Sequence, residues 1–351
     1  ITLIVGAVAS IFRPFSSYVK FVYPNAKYEA MGNPYITQQS LQKLLESGTL
    51  QAFVEQLNGN KDYQIQGSTA AEVQHHLDML FVKTMELMRK DSSKKMHLFY
   101  DSYLEYHDIR YLKTAIKLKR KEKTIDETIL QHIVSPQVKQ LVSQLSSAKR
   151  ESLPDILKNY GFPSSFLQLM HDDEIDAGID RFFIRRLDEV YVPYKCQQAK
   201  HLYVKRLIDV ISIQLILRAK HRHLNETSCM SFFIDDGYEI PEWKFKELCK
   251  ANDVSEVITI LEGTSYASTL KHVKDTIKTT FVQPYEDALD QHMLTVIKDI
   301  STQHYTTIGP SLRYLISKEI EIKNLKIIAK GLYEQIPIES IRSLLRMETS
   351  A

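Results

Sequence analysis

Acidic and basic side chains recur at one spacing in three separate stretches of the sequence. In each stretch an acid is followed by apolar residues one, four and eight positions later and by a base nine positions later. The acids are Asp108, Asp209 and Glu321, and the bases are Lys117, Arg218 and Lys330. Apolar residues at this spacing share one face of a helix, so each block predicts a helix with a core stripe. The chemistry that the charged groups offer is ion pairing.

The three blocks have a simple explanation and a more specific one. A single copy needs only a core stripe, a solvated acid and a base that complements the dipole at the C-terminal end of its helix. Three copies at matching offsets indicate that one packing unit was duplicated, with the acids paired to bases such as Arg185, Arg186 or Arg206. Their separations are domain-sized and exceed the ~20–50 residues of a solenoid repeat, so we expect three related modules.

Other reactive side chains form no recognisable enzyme site. The sequence has no GxxxxGK[ST] phosphate loop and no GxGxxG, GxSxG or HExxH motif. Its candidate groups are His75, His76 and Asp78; His221, His223 and Cys229; the acidic run from His171 to Asp176; and Cys196. Metal ligation would need a second ligand pair at zinc spacing, and a nucleophilic cysteine would need a base beside it. The sequence therefore predicts no catalytic residue, no cofactor and no metal.

Composition favours long helices in a protein of two or three domains. The 351 residues include only 11 glycines and 11 prolines, so turn-forming residues are scarce. The net charge of +2 gives no sign of a nucleic-acid partner or an acidic substrate. The 3 cysteines lie far apart, which indicates a reducing compartment and no disulfide framework.

The helical periodicity predicts an all-α fold, with no alternating strand pattern. Long helices are expected over residues 96–121 and 194–223 and from Gly309 onwards. Ser135 and Pro136 form a predicted helix start, with serine as the cap. The expected organisation is an N-terminal segment at residues 1–22 followed by helical modules at 23–123, 124–223 and 224–351.

The first residues of the sequence are apolar. Ile1–Phe12 contains no charge, and Arg13 follows it directly. A bilayer span needs about 20 such residues, so this run alone is too short. It is either the end of a membrane anchor with its bases on the cytoplasmic side, or a helix that docks onto a partner or lies in the membrane interface. No other segment is a candidate span.

Basic residues gather at the ends of the three long helices. They form either solvated helix ends or three similar basic rims presented to one acidic or polar partner. The candidate partner-contact residues are Lys117, Arg120, Lys121, Arg218, Lys220, Lys326 and Lys330. Glu319 stands near the packed stripe of the third block, where the other copies have Tyr106 and Leu207. A carboxylate there needs a partner, either within the chain or on another protein of an assembly.

The third block resembles a known family. Residues 318–325, KEIEIKNL, with Ile338–Arg342 and Leu345, are similar to the C-terminal motif of the C subunits of archaeal A-type ATP synthases, which are related to the d subunits of eukaryotic V-ATPases. The middle block and the segment from Tyr23 to Met31 are similar too, so the resemblance covers about residues 23–346. Asn324 is matched by Ser212 and Tyr111 in the other copies, so a role for its amide would belong to the third block only.

The resemblance implies a funnel of three similar helical domains about a pseudo-threefold axis. It implies a non-catalytic rotor adaptor at the cytoplasmic face of the membrane, between the D and F subunits of the central shaft and the loops of the membrane c-ring. The a subunit of the stator is a further candidate partner, whereas nucleic acid and small-molecule substrates are not expected. The alternatives are a generic all-helical membrane-associated scaffold and, more weakly, an all-helical hydrolase with a scattered site.

Overall fold

The computed structural model describes residues 18–168, 171–277 and 281–348. These residues form helices joined by turns and loops, and none of them lies in a strand, so the predicted all-α class is confirmed. Ile1–Phe12 falls outside the described ranges. Among the helices that are described, none combines the length and the apolar character needed to cross a bilayer.

The α-helices follow one another along the chain with short connections. In the first half they are α1 (residues 18–31), α2 (Gln38–Leu45), α3 (Leu50–Asn58), α4 (Ala70–Asp91), α5 (His97–His107), α6 (Ile109–Arg120), α7 (Glu127–His132), α8 (Pro136–Ser147), α9 (Leu153–Tyr160) and α10 (Ser164–Leu167). In the second half they are α11 (Asp172–Glu189), α12 (Gln197–His221), α13 (Glu226–Met230), α14 (Glu242–Lys250), α15 (Val254–Ile260), α16 (Tyr266–Ile277), α17 (Gln283–Gln303), α18 (Gly309–Tyr333) and α19 (Ile338–Arg342). Short 3-10 helices occur at Pro34–Ile36, Lys94–Met96 and Arg150–Ser152.

Helix boundaries follow local capping chemistry. The Ser135 hydroxyl accepts a hydrogen bond from the N–H of Val138, and Pro136 is the first helical residue, which confirms the predicted start of α8. Thr69 and Glu72 form a capping box at the start of α4. These side chains satisfy backbone N–H groups that have no partner inside the helix.

The long helix predicted over residues 96–121 is interrupted at one residue. α5 ends at His107 and α6 begins at Ile109, with Asp108 between them. The Asp108 N–H donates to the carbonyls of Leu104 and Glu105, both at 3.2 Å, so the helical path tightens there. The sequence has neither proline nor glycine at this point, so no residue type there signals the interruption.

The described chain divides into two compact units. The first contains residues 18–98, 191–203 and 290–348, so segments near both ends of the chain pack together. Its centre is α18, which is buried along most of its length and packs against α2, α3, α4, α19 and the 3-10 helix Pro34–Ile36. A Cβ on Gly331 would lie 2.5 Å from the Ile341 side chain, so this glycine allows α19 to pack directly on α18.

The second unit contains residues 99–190 and 204–289. In its first part α6 packs against α7, α8 and α11 around a continuous apolar core. The Phe162 and Phe182 rings stack with their centroids 4.1 Å apart in that core. In its second part α13, α14, α15 and α16 pack in succession. The three sequential modules predicted from the blocks remain a prediction, since these compact units divide the chain differently.

Candidate functional site

The three acids of the repeated blocks are fully buried. Asp108, Asp209 and Glu321 are each 0% exposed, and we call them the anchor acids. Each accepts hydrogen bonds from backbone N–H groups of a short non-helical or 3-10 segment that leads into another helix. Burying an ionisable carboxyl is costly unless donors surround it, so these contacts determine what the acids do.

Asp108 holds the segment that starts α8. Its Oδ2 accepts the N–H of Val134 at 2.8 Å and the N–H of Ser135 at 2.5 Å. Its Oδ1 lies 3.2 Å from Nδ1 of His107. The first anchor acid therefore fixes the direction in which the chain enters α8, immediately before Pro136.

Asp209 holds the segment that leads into α14. Its carboxylate accepts the N–H of Glu239 at 2.9 Å, the N–H of Ile240 at 2.9 Å and the hydroxyl of Tyr266 at 2.9 Å. A Cβ on Gly237 would collide with Oδ1 of Asp209. Only glycine lets the backbone pass this close to the carboxylate.

The Asp209 environment predicts an unusual titration. Burial raises the pKa of its carboxyl from 3.8 to about 6, against the opposing effect of its hydrogen-bond donors. Because the folded pKa lies above the unfolded one, this group contributes most stability below pH ~4 and loses that contribution as the pH rises through 6. We expect the carboxyl carbon-13 resonance of Asp209 to titrate with a midpoint near pH 6. A midpoint below pH ~4 would contradict this assignment.

Glu321 holds the 3-10 helix Pro34–Ile36, which precedes α2. Its Oε1 accepts the N–H of Tyr35 at 2.7 Å. Its Oε2 lies 2.5 Å from Nζ of Lys318, which also donates to the Tyr63 hydroxyl at 2.8 Å. Burial and then the Glu321 charge raise the pKa of Tyr63, so its phenol keeps its proton. The third anchor acid thus joins an ion pair and a backbone contact in one buried cluster.

The three anchored segments share a feature besides their donors. Each contains or adjoins a proline: Pro34 beside Tyr35, Pro136 after Ser135, and Pro241 after Ile240. A proline restricts the backbone but offers no N–H, so the neighbouring residues supply the donors. The first two blocks anchor the segment that starts a later group of helices, and the third anchors the segment before α2. The blocks therefore hold the connections between helical groups, which is a positioning role.

Two of the predicted contact bases belong to a ladder of ion pairs between α6 and α11. Lys113 pairs with Asp180 at 2.6 Å, Lys117 with Asp176 at 2.5 Å, and Lys121 with Asp172 at 2.6 Å. The numbers rise on one helix as they fall on the other, so the two helices are antiparallel. Exposure of the lysine side chain increases along the ladder from 21% to 28% to 55%.

This gradient predicts unequal coupling between the paired charges. Water screens an exposed pair more than a buried one, so double-mutant cycles with alanine should give the largest coupling for Lys113–Asp180. We expect about 1 kcal/mol there and a value near zero for Lys121–Asp172, measured as free energies of unfolding by urea titration. The exposed pair serves as the matched control. Equal coupling along the ladder would mean that burial does not decide the strength of these pairs.

The other candidate contact bases differ widely in their surroundings. Arg218 forms a two-point ion pair with Glu286 at 2.5 and 2.7 Å, and Lys326 pairs with Asp78. Lys220 is only 3% exposed, and its ammonium donates to the carbonyl of Cys249 at 2.6 Å. Arg120 is half-buried at the end of α6. Lys330 is the most open, with 61% of its side chain exposed and Glu334 at 4.0 Å.

The charged residues near the anchor acids, Glu319 and the three arginines suggested as their partners, form ion pairs with other side chains. Glu319 pairs with Lys323 at 2.9 Å within α18. Of the two partners considered for its carboxylate, the structure shows the one within the chain. The arginines pair with carboxylates other than the anchor acids: Arg185 with Asp235, Arg186 with Glu105, and Arg206 with Glu239. The anchor acids instead accept mainly from backbone N–H groups, to which Asp209 adds the hydroxyl of Tyr266 and Glu321 adds the ion pair with Lys318.

The amide of Asn324, which lies within the motif that carries the family resemblance, binds the backbone of Arg346. The amide donates to the carbonyl of Arg346 at 2.7 Å and accepts the N–H of Arg346 at 3.0 Å. The N–H of Glu348 donates to the carbonyl of Ile36 at 2.9 Å. These bonds tie the last described residues to α18 and to the segment that Glu321 anchors.

The histidine and cysteine candidates do not form a metal-binding cluster in the described part of the chain. Asp78 is engaged by Lys326, and Nδ1 of His76 lies 3.0 Å from the carbonyl of Glu72 in its own helix. Within residues 18–168, 171–277 and 281–348, no three histidine, cysteine or acidic side chains are grouped as metal ligands. Cys196 is buried, and that burial raises the pKa of its thiol to about 12.

Comparison with known proteins gives one family over almost the whole chain. The family described as ATP synthase (C/AC39) subunit matches residues 24–344. The C subunit of the A-type ATP synthase of Methanosphaera stadtmanae is 25% identical, with 97% of this chain and 92% of the relative covered. The corresponding C subunits of Methanocaldococcus jannaschii and Pyrococcus horikoshii are each 28% identical, with 93% of this chain covered and 86% and 90% of the relatives.

Proposed function

Because this chain belongs to the family of ATP synthase (C/AC39) subunits, we propose that it is a non-catalytic central-stalk rotor component of an A-type rotary ATP synthase. In this role it couples the rotating shaft, made of the D and F subunits, to the membrane c-ring, so that ATP synthesis or hydrolysis is linked to ion translocation. The observation that carries the proposal is the match over residues 24–344, together with relatives named as C subunits of A-type ATP synthases.

The buried contacts of the anchor acids favour a subunit that transmits torque without bending. The anchor acids hold the connecting segments to long helices within each compact unit. A connector fixed by buried hydrogen bonds opens less readily than a solvated loop, and closely packed interiors transmit strain. We propose that the three blocks keep the helical groups stiff under torque and that the groups form a funnel with pseudo-threefold symmetry.

The basic helix ends supply candidate contacts with partners. We propose that Lys121, Arg218 and Lys330 contribute most, because at least half of each side chain remains exposed. The other four candidate bases are more enclosed and would mainly position the basic helix ends. They are Lys117, Arg120, Lys220 and Lys326. The polar cytoplasmic loops of the c-ring and the foot of the D–F shaft are the proposed partners, with the a subunit of the stator as a further one. The protein would then sit at the cytoplasmic face of the membrane.

Co-elution with purified partners tests this proposal. We expect the full chain to co-elute with the D–F shaft and, in a separate experiment, with the detergent-solubilised c-ring. The triple variant Lys121→Glu, Arg218→Glu and Lys330→Glu should weaken at least one of these interactions, whereas Lys158→Glu, an exposed lysine elsewhere, should weaken neither. If the folded chain binds neither partner, the rotor proposal fails and the generic all-helical scaffold becomes the better account.

A further inference from the structure

Two of the three cysteines, distant in sequence, are neighbours in the fold. Helix α13 carries Cys229 and packs against α14, which carries Cys249. Both residues are 0% exposed, and their side chains lie close enough to shift the pKa of each other in opposite directions. Cys196, by contrast, is buried in the other compact unit. The fold therefore creates a thiol pair that the sequence analysis did not predict.

A buried ammonium group completes this cluster. Nζ of Lys220 donates to the carbonyl of Cys249 at 2.6 Å and to the carbonyl of Leu224 at 3.4 Å. Sγ of Cys229 lies 3.8 Å from the same Leu224 carbonyl. The positive charge of Lys220 therefore lies close to both cysteines in the interior of the unit, where water screens it little.

We propose that Cys229 and Cys249 form an oxidisable dithiol that hydrogen peroxide converts to a disulfide. The Cys229 thiolate attacks one peroxide oxygen, the O–O bond breaks, and hydroxide leaves and takes up a proton, which gives a sulfenic acid. The Cys249 thiol attacks that sulfur, the S–O bond breaks, and water leaves with the thiol proton as the S–S bond forms. Two thiols are oxidised, and one peroxide is reduced to two waters.

The surroundings of the two thiols assign their roles. The interaction with the Cys249 thiol and the charge of Lys220 lower the pKa of Cys229, which favours the attacking thiolate. The interaction with Cys229 and burial raise the pKa of Cys249, on which the nearby Glu226 charge acts in the same direction. Cys229 lies on the short helix α13 and is the attacking thiol, whereas Cys249 on the longer helix α14 is the resolving thiol. Access for peroxide comes through opening of the short helix α13, which has only 5 residues.

The test exposes the native chain to hydrogen peroxide and then blocks the remaining thiols with N-ethylmaleimide in denaturant. Tryptic peptides are mapped by mass spectrometry without reduction. Trypsin cuts at Lys244 and Lys246, which separates the two cysteines. We expect a Cys229–Cys249 cross-linked peptide that disappears on reduction, while Cys196 remains free to react with maleimide. Full maleimide labelling of Cys229 and Cys249 after exposure would overturn the proposal, and so would cross-links that involve Cys196 equally.

Two serine variants test the order of the steps. In Cys249→Ser the resolving thiol is missing, so dimedone should trap a sulfenic acid on Cys229. In Cys229→Ser the attacking thiol is missing, so Cys249 should give at least tenfold less adduct. Adducts of equal yield in the two variants would overturn the assigned roles. None of these readouts depends on binding to the shaft or the ring, so their failure is distinct from failure of the proposed function.

Discussion

Replacing Asp209 by alanine should lower the free energy of unfolding by about 3 kcal/mol or more, because the N–H groups of Glu239 and Ile240 and the hydroxyl of Tyr266 lose their acceptor. A buried donor left without an acceptor costs about 1–3 kcal/mol. Urea titration followed by circular dichroism measures the change. Asp209→Asn should also be destabilising, since its amide would point N–H groups at backbone donors.

The matched control for this prediction is Asp155→Ala, which removes an exposed acid in the same compact unit. Surface substitutions of this kind change stability by about 0.5 kcal/mol or less. Hydrogen exchange should also show faster exchange of the Glu239 and Ile240 amides in Asp209→Ala than in the control. If Asp209→Ala changes stability no more than Asp155→Ala does, Asp209 does not anchor this segment.

Replacing Glu321 by alanine should cost about 3–5 kcal/mol, which is typical when one member of a buried ion pair is removed. The ammonium of Lys318, only 5% exposed, would lose its counterion, and the N–H of Tyr35 would lose its acceptor. The same denaturant titration measures this loss. The control is Glu334→Ala, an exposed acid at the end of the same helix.

A double variant separates the charge effect from the backbone effect. In Lys318→Met with Glu321→Leu neither charge of this buried pair remains, although the N–H of Tyr35 is still without its acceptor. Hydrophobic replacement of a buried ion pair is often neutral or stabilising, so this variant should be at least about 1 kcal/mol more stable than Glu321→Ala. A double variant less stable than Glu321→Ala would show that Lys318 does not depend on Glu321 for its counter-charge.

The sequence alone predicted the helices well but not the contacts of their acids. The spacing of Asp108, Asp209 and Glu321 within apolar stripes was enough to place each on or beside a long helix. Their acceptor role was hidden, because the donors are backbone N–H groups about 26 to 31 residues away for the first two acids. Backbone donors have no side-chain signature, so periodicity cannot identify them.

Two further features had sequence signals of different strength. The ladder between α6 and α11 was readable in principle, because Lys113, Lys117 and Lys121 repeat every fourth residue and so do their aspartates. Two acids of the run from His171 to Asp176 belong to this ladder, and a favourable interaction with the helix dipole would explain only the acids of the first turn. Lys220 gave no usable signal, because a lysine in the last turn of a helix is usually solvated and here the fold buries it.

The measurement that tests the central claim most directly is ATP-driven ion pumping by the rotary complex reconstituted in vesicles with and without this chain. We predict that the complex without it hydrolyses ATP but pumps few ions, and that adding the purified chain restores pumping in proportion to its occupancy. Glu334→Ala should restore pumping as the wild type does. Equal pumping in the absence and in the presence of the chain would contradict the rotor function that we propose for it.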